Sequence, residues 1–141
     1  MKILVAIDGS APSLAALKFA IDLLGRQSEA GSIGLVCVRD DTGLRSASHV
    51  VGRKAIEDYL KEQSETDLVE ARKLLSGTDI AHETIYRTGR PETEICALAR
   101  EDGYDMIAMG SKGRAGLSDL LIGSVAQRVA AAATQPVVLV K

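Results

Sequence analysis

"KILVAIDGSAPSLAALKFAIDLLG", residues 2–25, decides the fold. Residues 2–8 contain an unbroken apolar run from Ile3 to Ile7. A strand with no polar residue at alternate positions is buried on both faces, as in the middle of a parallel sheet. The period then changes. Leu14, Leu17, Ala20, Ile21 and Leu24 recur at helical spacing over residues 13–25, and Gly25 is placed to end the helix. A buried strand followed at once by an amphipathic helix is half of a βαβ crossover.

The same unit recurs along the chain. Residues 33–38, "IGLVCV", read as a second buried strand. "RDDTGLRSASHVVGRK" is polar and rich in turn residues and reads as a loop. From about residue 50 to 75, Ile56, Tyr59, Leu60, Leu68, Ala71 and Leu75 mark one helix face, with charges over the rest. Within it Lys54, Glu57, Lys61 and Glu65 read as a solvated face with helical charge pairs. Residues 80–87, "IAHETIYR", mix polarity and predict a half-exposed strand near an edge. Pro91 opens the next helix, Glu92 and Glu94 sit in its first turns, and Gly103 follows its end. "YDMIAM", residues 104–109, is the fourth strand. A last helix runs from Ser124 to about Ala133, is stopped by Gln135-Pro136, and precedes a fifth strand at 137–140. The order βαβαβαβαβ predicts one α/β domain over residues 1–141, a five-stranded parallel sheet with helices on both faces. Ligands bind such sheets beyond the carboxyl ends of the strands, where strand order reverses. Asp8 ends strand 1 and Gly110 ends strand 4, so adjacent strands 1 and 4 bring both to one crevice.

Composition narrows the chemistry. The chain has 141 residues, 46% of them apolar but only 3% aromatic, so Val, Ile, Leu, Ala and Met build the core. A net charge of -2 and scarce aromatics argue against nucleic acid. No apolar stretch approaches a membrane span, and Asp8 arrives too soon for a signal peptide, so a cytoplasmic protein is expected. Cys37 and Cys96 lie in apolar patterns without CxxC spacing and read as reduced core residues. His49 and His82 are isolated, without metal-site spacing.

"MGSKGRAGLSDLLIGS", residues 109–124, joins the fourth strand to the last helix and carries four glycines, two cations and three serines. Glycine lets main-chain N–H groups approach an anion closely, and a helix N-terminus presents unpaired N–H groups and a favourable dipole. Gly110, Gly113, Gly123 and Ser124, with Lys112 and Arg114, fit a di- or triphosphate. The plainer alternative is a strand-to-loop turn at Gly110 and a helix cap at Gly123-Ser124. The spacing matches neither a Walker A loop nor GxGxxG.

"GSKGRAGLSDLLIGS" also matches the G-x2-G-x9-G-[ST] pattern of the universal stress protein family. "ILVAIDGS" resembles that family's first strand and acidic turn, "TGRPETEICALAREDGYDMIAMGSKG" its third helix and fourth strand, and "GSVAQRVAAAATQPVVLVK" its last helix and strand. The likeness spans nearly the whole chain and is weakest over residues 40–80. It implies strand order 3-2-1-4-5, with two helices on each face. It implies an ATP-binding member, since members that do not bind ATP lack these glycines. Asp8, preceded by Ala6 and Ile7, then lies against the nucleoside, and Val38 meets the adenine through its backbone. Gly110 and Gly113 line the phosphates, with Met109, Lys112 and Arg114 nearby. Gly123, Ser124 and Val125 hold the far end of the phosphate chain. It also implies a homodimer through the C-terminal strand, which as a bare apolar edge needs a partner.

Arg39 departs from the family pattern, where an apolar residue is usual, and is read as facing solvent rather than a ribose or phosphate. Mg or Mn would arrive only with ATP, Asp8 being the best carboxylate and Asp40 the second. No nucleophilic triad or GxSxG is present, so binding with little or no turnover is expected, in service of an unknown protein partner. The alternatives are slow ATP hydrolysis or self-phosphorylation on a loop serine such as Ser111, an AMP or cyclic-nucleotide binder, and a ligand-free interaction module. Adenylating relatives of the fold carry SGGxDS or HxGH signatures, which are absent.

Overall fold

The computed structural model describes residues 1–44, 46–113 and 121–141, apart from the side chain of Ser48. Five strands, β1 (Lys2–Ala6), β2 (Ser32–Arg39), β3 (Ala81–Thr88), β4 (Met106–Gly110) and β5 (Val137–Val140), form one sheet in the order β3-β2-β1-β4-β5. Every pairing is parallel, with Ile3 opposite both Ile33 and Met106. The helices are α1 (Ala11–Gly25), α2 (Ser48–Val51), α3 (Arg53–Ser76), α4 (Pro91–Glu101) and α5 (Ser124–Ala132).

Alternation along the central strands feeds two cores. Ile3, Val5 and Leu35 face α1 and α3, where Leu17, Leu68 and Leu75 meet them, all fully buried. Leu4, Val36 and Ile107 face α4 and α5, where Ile95, Leu98 and Val129 meet them. Burial on both faces explains why β1 shows no polar alternation. β3, at an edge, is exposed at both ends and half-buried from residue 84 to 87, as its mixed polarity predicts.

Three local readings are refined. β1 leaves its ladder at Ala6, not Asp8, although the Ile7 N–H still donates to the Val36 carbonyl at 2.9 Å. The 39–54 loop contains the one-turn α2, which Gly52 separates from α3 by a positive φ of 86°. Tyr104 precedes β4 and is a buried plug, its ring beneath the Lys2 ammonium at 4.3 Å and its hydroxyl donating to Glu83 at 3.2 Å. Burial, reinforced by Glu83, raises its phenol pKa.

Glu65 keeps a side chain 41% exposed, as read, and also accepts from Arg72 and from the Tyr86 hydroxyl, tying α3 to the β3 edge. The Arg72 hydrogen bond, with help from Tyr86, lowers its pKa to about 2.

Close approach requires a glycine at Gly34 and at Gly110, as it does at Gly31. A Cβ on Gly34, inside β2, would lie 2.6 Å from Tyr104 Cζ. A Cβ on Gly110 would lie 2.7 Å from Pro12 Cβ and 2.9 Å from the Ser13 nitrogen, where α1 begins. Gly25 has open space around it. Gly34→Ala and Gly110→Ala should each destabilise by about 1–3 kcal/mol, the usual cost of overpacking. Gly25→Ala should be neutral or slightly stabilising. Urea denaturation compares them, and equal midpoints for all three would contradict these packing constraints.

Candidate functional site

The crevice at the carboxyl ends of the strands is built where β1 and β4 lie side by side. After β1 the chain passes Asp8 and enters α1. Ser10 caps that helix, its Oγ accepting from the Ser13 N–H at 3.3 Å. Asp8 Oδ1 accepts from the Ser10 N–H at 2.9 Å and from the Ser10 hydroxyl. This is the turn role open to any aspartate there. Asp8 Oδ2 lies toward the glycine loop, 3.1 Å from where a Cβ on Gly113 would stand.

After β4 the chain is held from two sides. The Ser111 N–H donates to the Val140 carbonyl of β5 at 2.7 Å, and the Ser111 carbonyl accepts from the Gly123 N–H at 2.8 Å. That second bond sets the head of α5 against the tail of β4. A Cβ on Gly123 would lie 3.5 Å from Lys112 Cα and 3.6 Å from the Gly113 nitrogen, ordinary contact distances. Gly123 is the N-cap of α5 and no side chain caps that helix. The first main-chain bond of α5 runs from Gln127 N–H to the Gly123 carbonyl at 3.0 Å. The amides of Ser124, Val125 and Ala126 therefore precede the helical ladder, where the partial positive charge of the helix is concentrated.

These elements enclose a cavity of about 400 Å³, within the range of small-ligand pockets. Ala6, Ile7 and Asp8 line it from the first strand and its exit, and Val38 from β2. Met109, Gly110, Lys112 and Gly113 line it from β4 and the loop beyond, and Gly123, Ser124 and Val125 from the head of α5. Of the residues expected from the sequence, all that are described line this one cavity. Arg114 lies outside the described residues.

Five further residues share the wall: Ser13, Val36, Pro91, Ile95 and Ala126. Val36 was legible as the neighbour, two residues back and on the same face, of Val38. Pro91 and Ile95 enter because α4 packs beside α5 and starts at the rim. Ser13 enters because Gly110 lets α1 approach β4. Its hydroxyl donates to the Ser10 carbonyl at 2.8 Å, so it serves the first turn of α1 as well as the wall. Together Ala6, Val36, Val38, Ile95, Met109 and Ala126 give the cavity an apolar lining, and the loop and the head of α5 add main-chain amides to its wall.

Arg39 faces neither the cavity nor open solvent. It bonds Asp67, donates to the Gln63 carbonyl at 2.9 Å and reaches Ser64 Oγ at 3.4 Å. Asp67 has a side chain only 3% exposed, and an acid buried that deeply needs a cation. Arg39 supplies it and locks α3 to the end of β2. Asp40 is occupied locally, accepting from the Thr42 N–H at 2.8 Å and from its hydroxyl. His82 is exposed on the β3 edge, its Nδ1 within 2.9 Å of the Ile80 carbonyl. Ser111, considered as an acceptor for phosphate, is 5% exposed with its hydroxyl oxygen out of reach of solvent.

Comparison with known proteins agrees with this architecture. The chain is 34% identical over 145 residues to universal stress protein YxiE of Bacillus subtilis, covering 99% of this chain and 98% of that one. The solved structure of hypothetical protein MJ0577 superposes with a TM-score of 0.86 at 28% identity, over 99% of this chain and 94% of that one. A universal stress protein family structure from Arabidopsis thaliana with AMP bound shares the fold, with a TM-score of 0.70 at 18% identity over 100% of this chain and 91% of that one. The universal stress protein family profile matches residues 1–141. The chain belongs to the universal stress protein family.

Proposed function

We propose that this protein binds an adenine nucleotide, ATP in the first instance, and acts as a nucleotide-responsive regulatory module with little or no turnover. One observation carries the reading: a single cavity is lined both by apolar side chains and by two main-chain segments, Lys112–Gly113 and Ser124–Ala126. The apolar lining suits a base, because an aromatic ring gains from leaving water and needs few polar contacts. The donors of Lys112–Gly113 and of Ser124–Ala126 suit phosphate oxygens, which accept hydrogen bonds and carry charge that a helix head favours. Asp8 shares the same wall, and its place at the end of the first strand supports its reading as the residue against the nucleoside. The AMP held by the Arabidopsis relative supports an adenine nucleotide, and AMP or a cyclic nucleotide is the nearest alternative ligand.

Turnover needs a group that activates water or an acceptor hydroxyl. Among the described residues of the wall, Asp8 is the one carboxylate and no histidine is present. Asp8 spends one oxygen on the Ser10 turn. If Mg or Mn enters with ATP, Asp8 Oδ2 is the carboxylate oxygen at hand, and phosphate oxygens supply further ligands of the hard, oxygen-rich kind these ions prefer.

Equilibrium binding of labelled ATP tests this reading. The wild-type chain should bind, and a Gly113→Ala, Gly123→Val double variant should bind at least about tenfold more weakly, a difference of about 1.4 kcal/mol. The first change crowds Asp8 Oδ2, and the second places a branched side chain against Lys112 and Gly113. Equal binding by a folded double variant would sink the cradle, and no binding by wild type would sink the nucleotide reading itself.

The sheet edges suggest the assembly. β3 presents His82, Glu83 and Arg87 along its edge, whereas residues 137–140 of β5 are all aliphatic and only half-buried. Charges discourage edge pairing and a bare apolar edge invites it. A second copy adding its β5 antiparallel would close the sheet into a dimer. Sedimentation equilibrium at micromolar concentration should return the dimer mass, and a stable monomer would contradict this pairing.

A further inference from the structure

Large apolar side chains that stay exposed are few among the described residues, and two of them, Leu121 at 55% and Ile122 at 44%, are neighbours in the chain. A single exposed aliphatic needs no explanation, whereas a contiguous apolar patch marks an interface. These two have apolar company. Ile122 leads into Gly123, whose N–H donates to the Ser111 carbonyl at 2.8 Å, and the Ser111 N–H donates to the Val140 carbonyl at 2.7 Å. Two hydrogen bonds through a single residue thus hold the pair beside the end of β5. The Gln127 side chain donates to the Ile122 carbonyl at 2.6 Å and holds it to α5 as well. β5 ends the sheet, and its residues 137–140 are aliphatic and half-buried.

A second copy of this chain is the occupant that this face fits. None of residues 121, 122 and 137–140 carries a charge, so a charged partner would lose hydration there without compensation. A twofold axis brings the same patch of both copies together, and β5 against β5 supplies main-chain hydrogen bonds along the bare edge. That ladder is short. Four residues span about 13 Å, too little to bury by themselves the roughly 800 Å² per partner of a standard interface. Exposed aliphatics beside the strand make up the area, and Leu121 and Ile122 are the ones the fold places there.

We propose that Leu121 and Ile122 form a second seat for the partner copy beside the β5 ladder, so that one short segment serves both the dimer face and the nucleotide cavity. Gly123, Ser124 and Val125 follow directly and line that cavity, whereas Leu121 and Ile122 are not part of its wall. A partner seated on 121–122 restrains the main chain that leads into the head of α5. Restraint in place before the ligand arrives lowers the entropic cost of binding. Coupling of this kind is reciprocal: the factor by which the dimer favours nucleotide is the factor by which nucleotide favours the dimer. The linkage rests on the nucleotide reading given above, and the seat rests on the β5 pairing.

The test is sedimentation of the wild type and of a Leu121→Ser, Ile122→Ser double variant, each with and without ATP, alongside the affinity of each for labelled ATP. Both changes fall on exposed side chains, so the variant should fold, which circular dichroism checks. It should dimerise at least about a hundredfold more weakly, since each dimer loses four covered aliphatic side chains. ATP should tighten the wild-type dimer about fivefold or more. The wild type diluted below its dimer constant should lose the same factor in ATP affinity, and the monomeric variant should bind ATP as the diluted wild type does. Equal dimer constants for the two proteins would overturn the seat while leaving the β5 pairing intact. ATP affinity unchanged between dimer and monomer would overturn the linkage. A wild type that stays monomeric would overturn the whole inference and leave the face to a different partner. A wild type that binds no ATP, yet dimerises more strongly than the variant, would overturn the nucleotide reading and the linkage while upholding the seat.

Discussion

The close approach of α1 to β4 is the constraint on which the site depends. β1 and β4 are neighbours in the sheet, yet the chain leaves β1 for one face and β4 for the other. That divergence opens the crevice. Gly110 then lets Pro12 and Ser13 sit against the end of β4 with no side chain between them. With a larger residue there, the first turn of α1 would be pushed outward, taking Ser10 and the Asp8 carboxylate it steadies. One absent Cβ thus connects core packing to the geometry of Asp8.

From that point the site is assembled by main chain more than by side chains. The bonds from Ser111 to Val140 and from Gly123 to Ser111 join β5, β4 and α5 at one place. Gly113 leaves Asp8 Oδ2 uncrowded, and an uncapped α5 keeps its first amides available. Some of the charged side chains elsewhere hold helices to the sheet. Arg39 with Asp67 and Arg72 with Glu65 and Tyr86 secure α3 along the β2 and β3 side. These clusters keep the long α3 in place without reaching into the cavity.

Much of the fold was legible because β1 and β2 are short apolar runs followed by clear helical periods. Parallel pairing followed from those alternations, and strand order followed from the family resemblance. Strand ends were less legible. β1 stops pairing at Ala6 because Asp8 is drawn into the Ser10 turn, a local hydrogen bond that apolar patterning does not register. The same limit applied to Arg39 and Glu65. Each is charged and looks solvated in one dimension, and each meets a partner distant in sequence, 28 residues away for Arg39 with Asp67. Gly34 gave no sign that it lies beneath Tyr104, for that contact joins β2 to the turn before β4. At the site, the glycines and Asp8 were visible from spacing and resemblance. Ser13, Pro91 and Ile95 were not, because helix packing alone brings them to the wall.

Backbone amide chemical shifts followed during an ATP titration test the cradle most directly. The amides of Gly113, Ser124, Val125 and Ala126 should shift together and yield one dissociation constant, as a phosphate chain shared by all four requires. Saturating ATP that leaves those amides unmoved, or moves the loop and the head of α5 with different constants, would contradict a shared anion site.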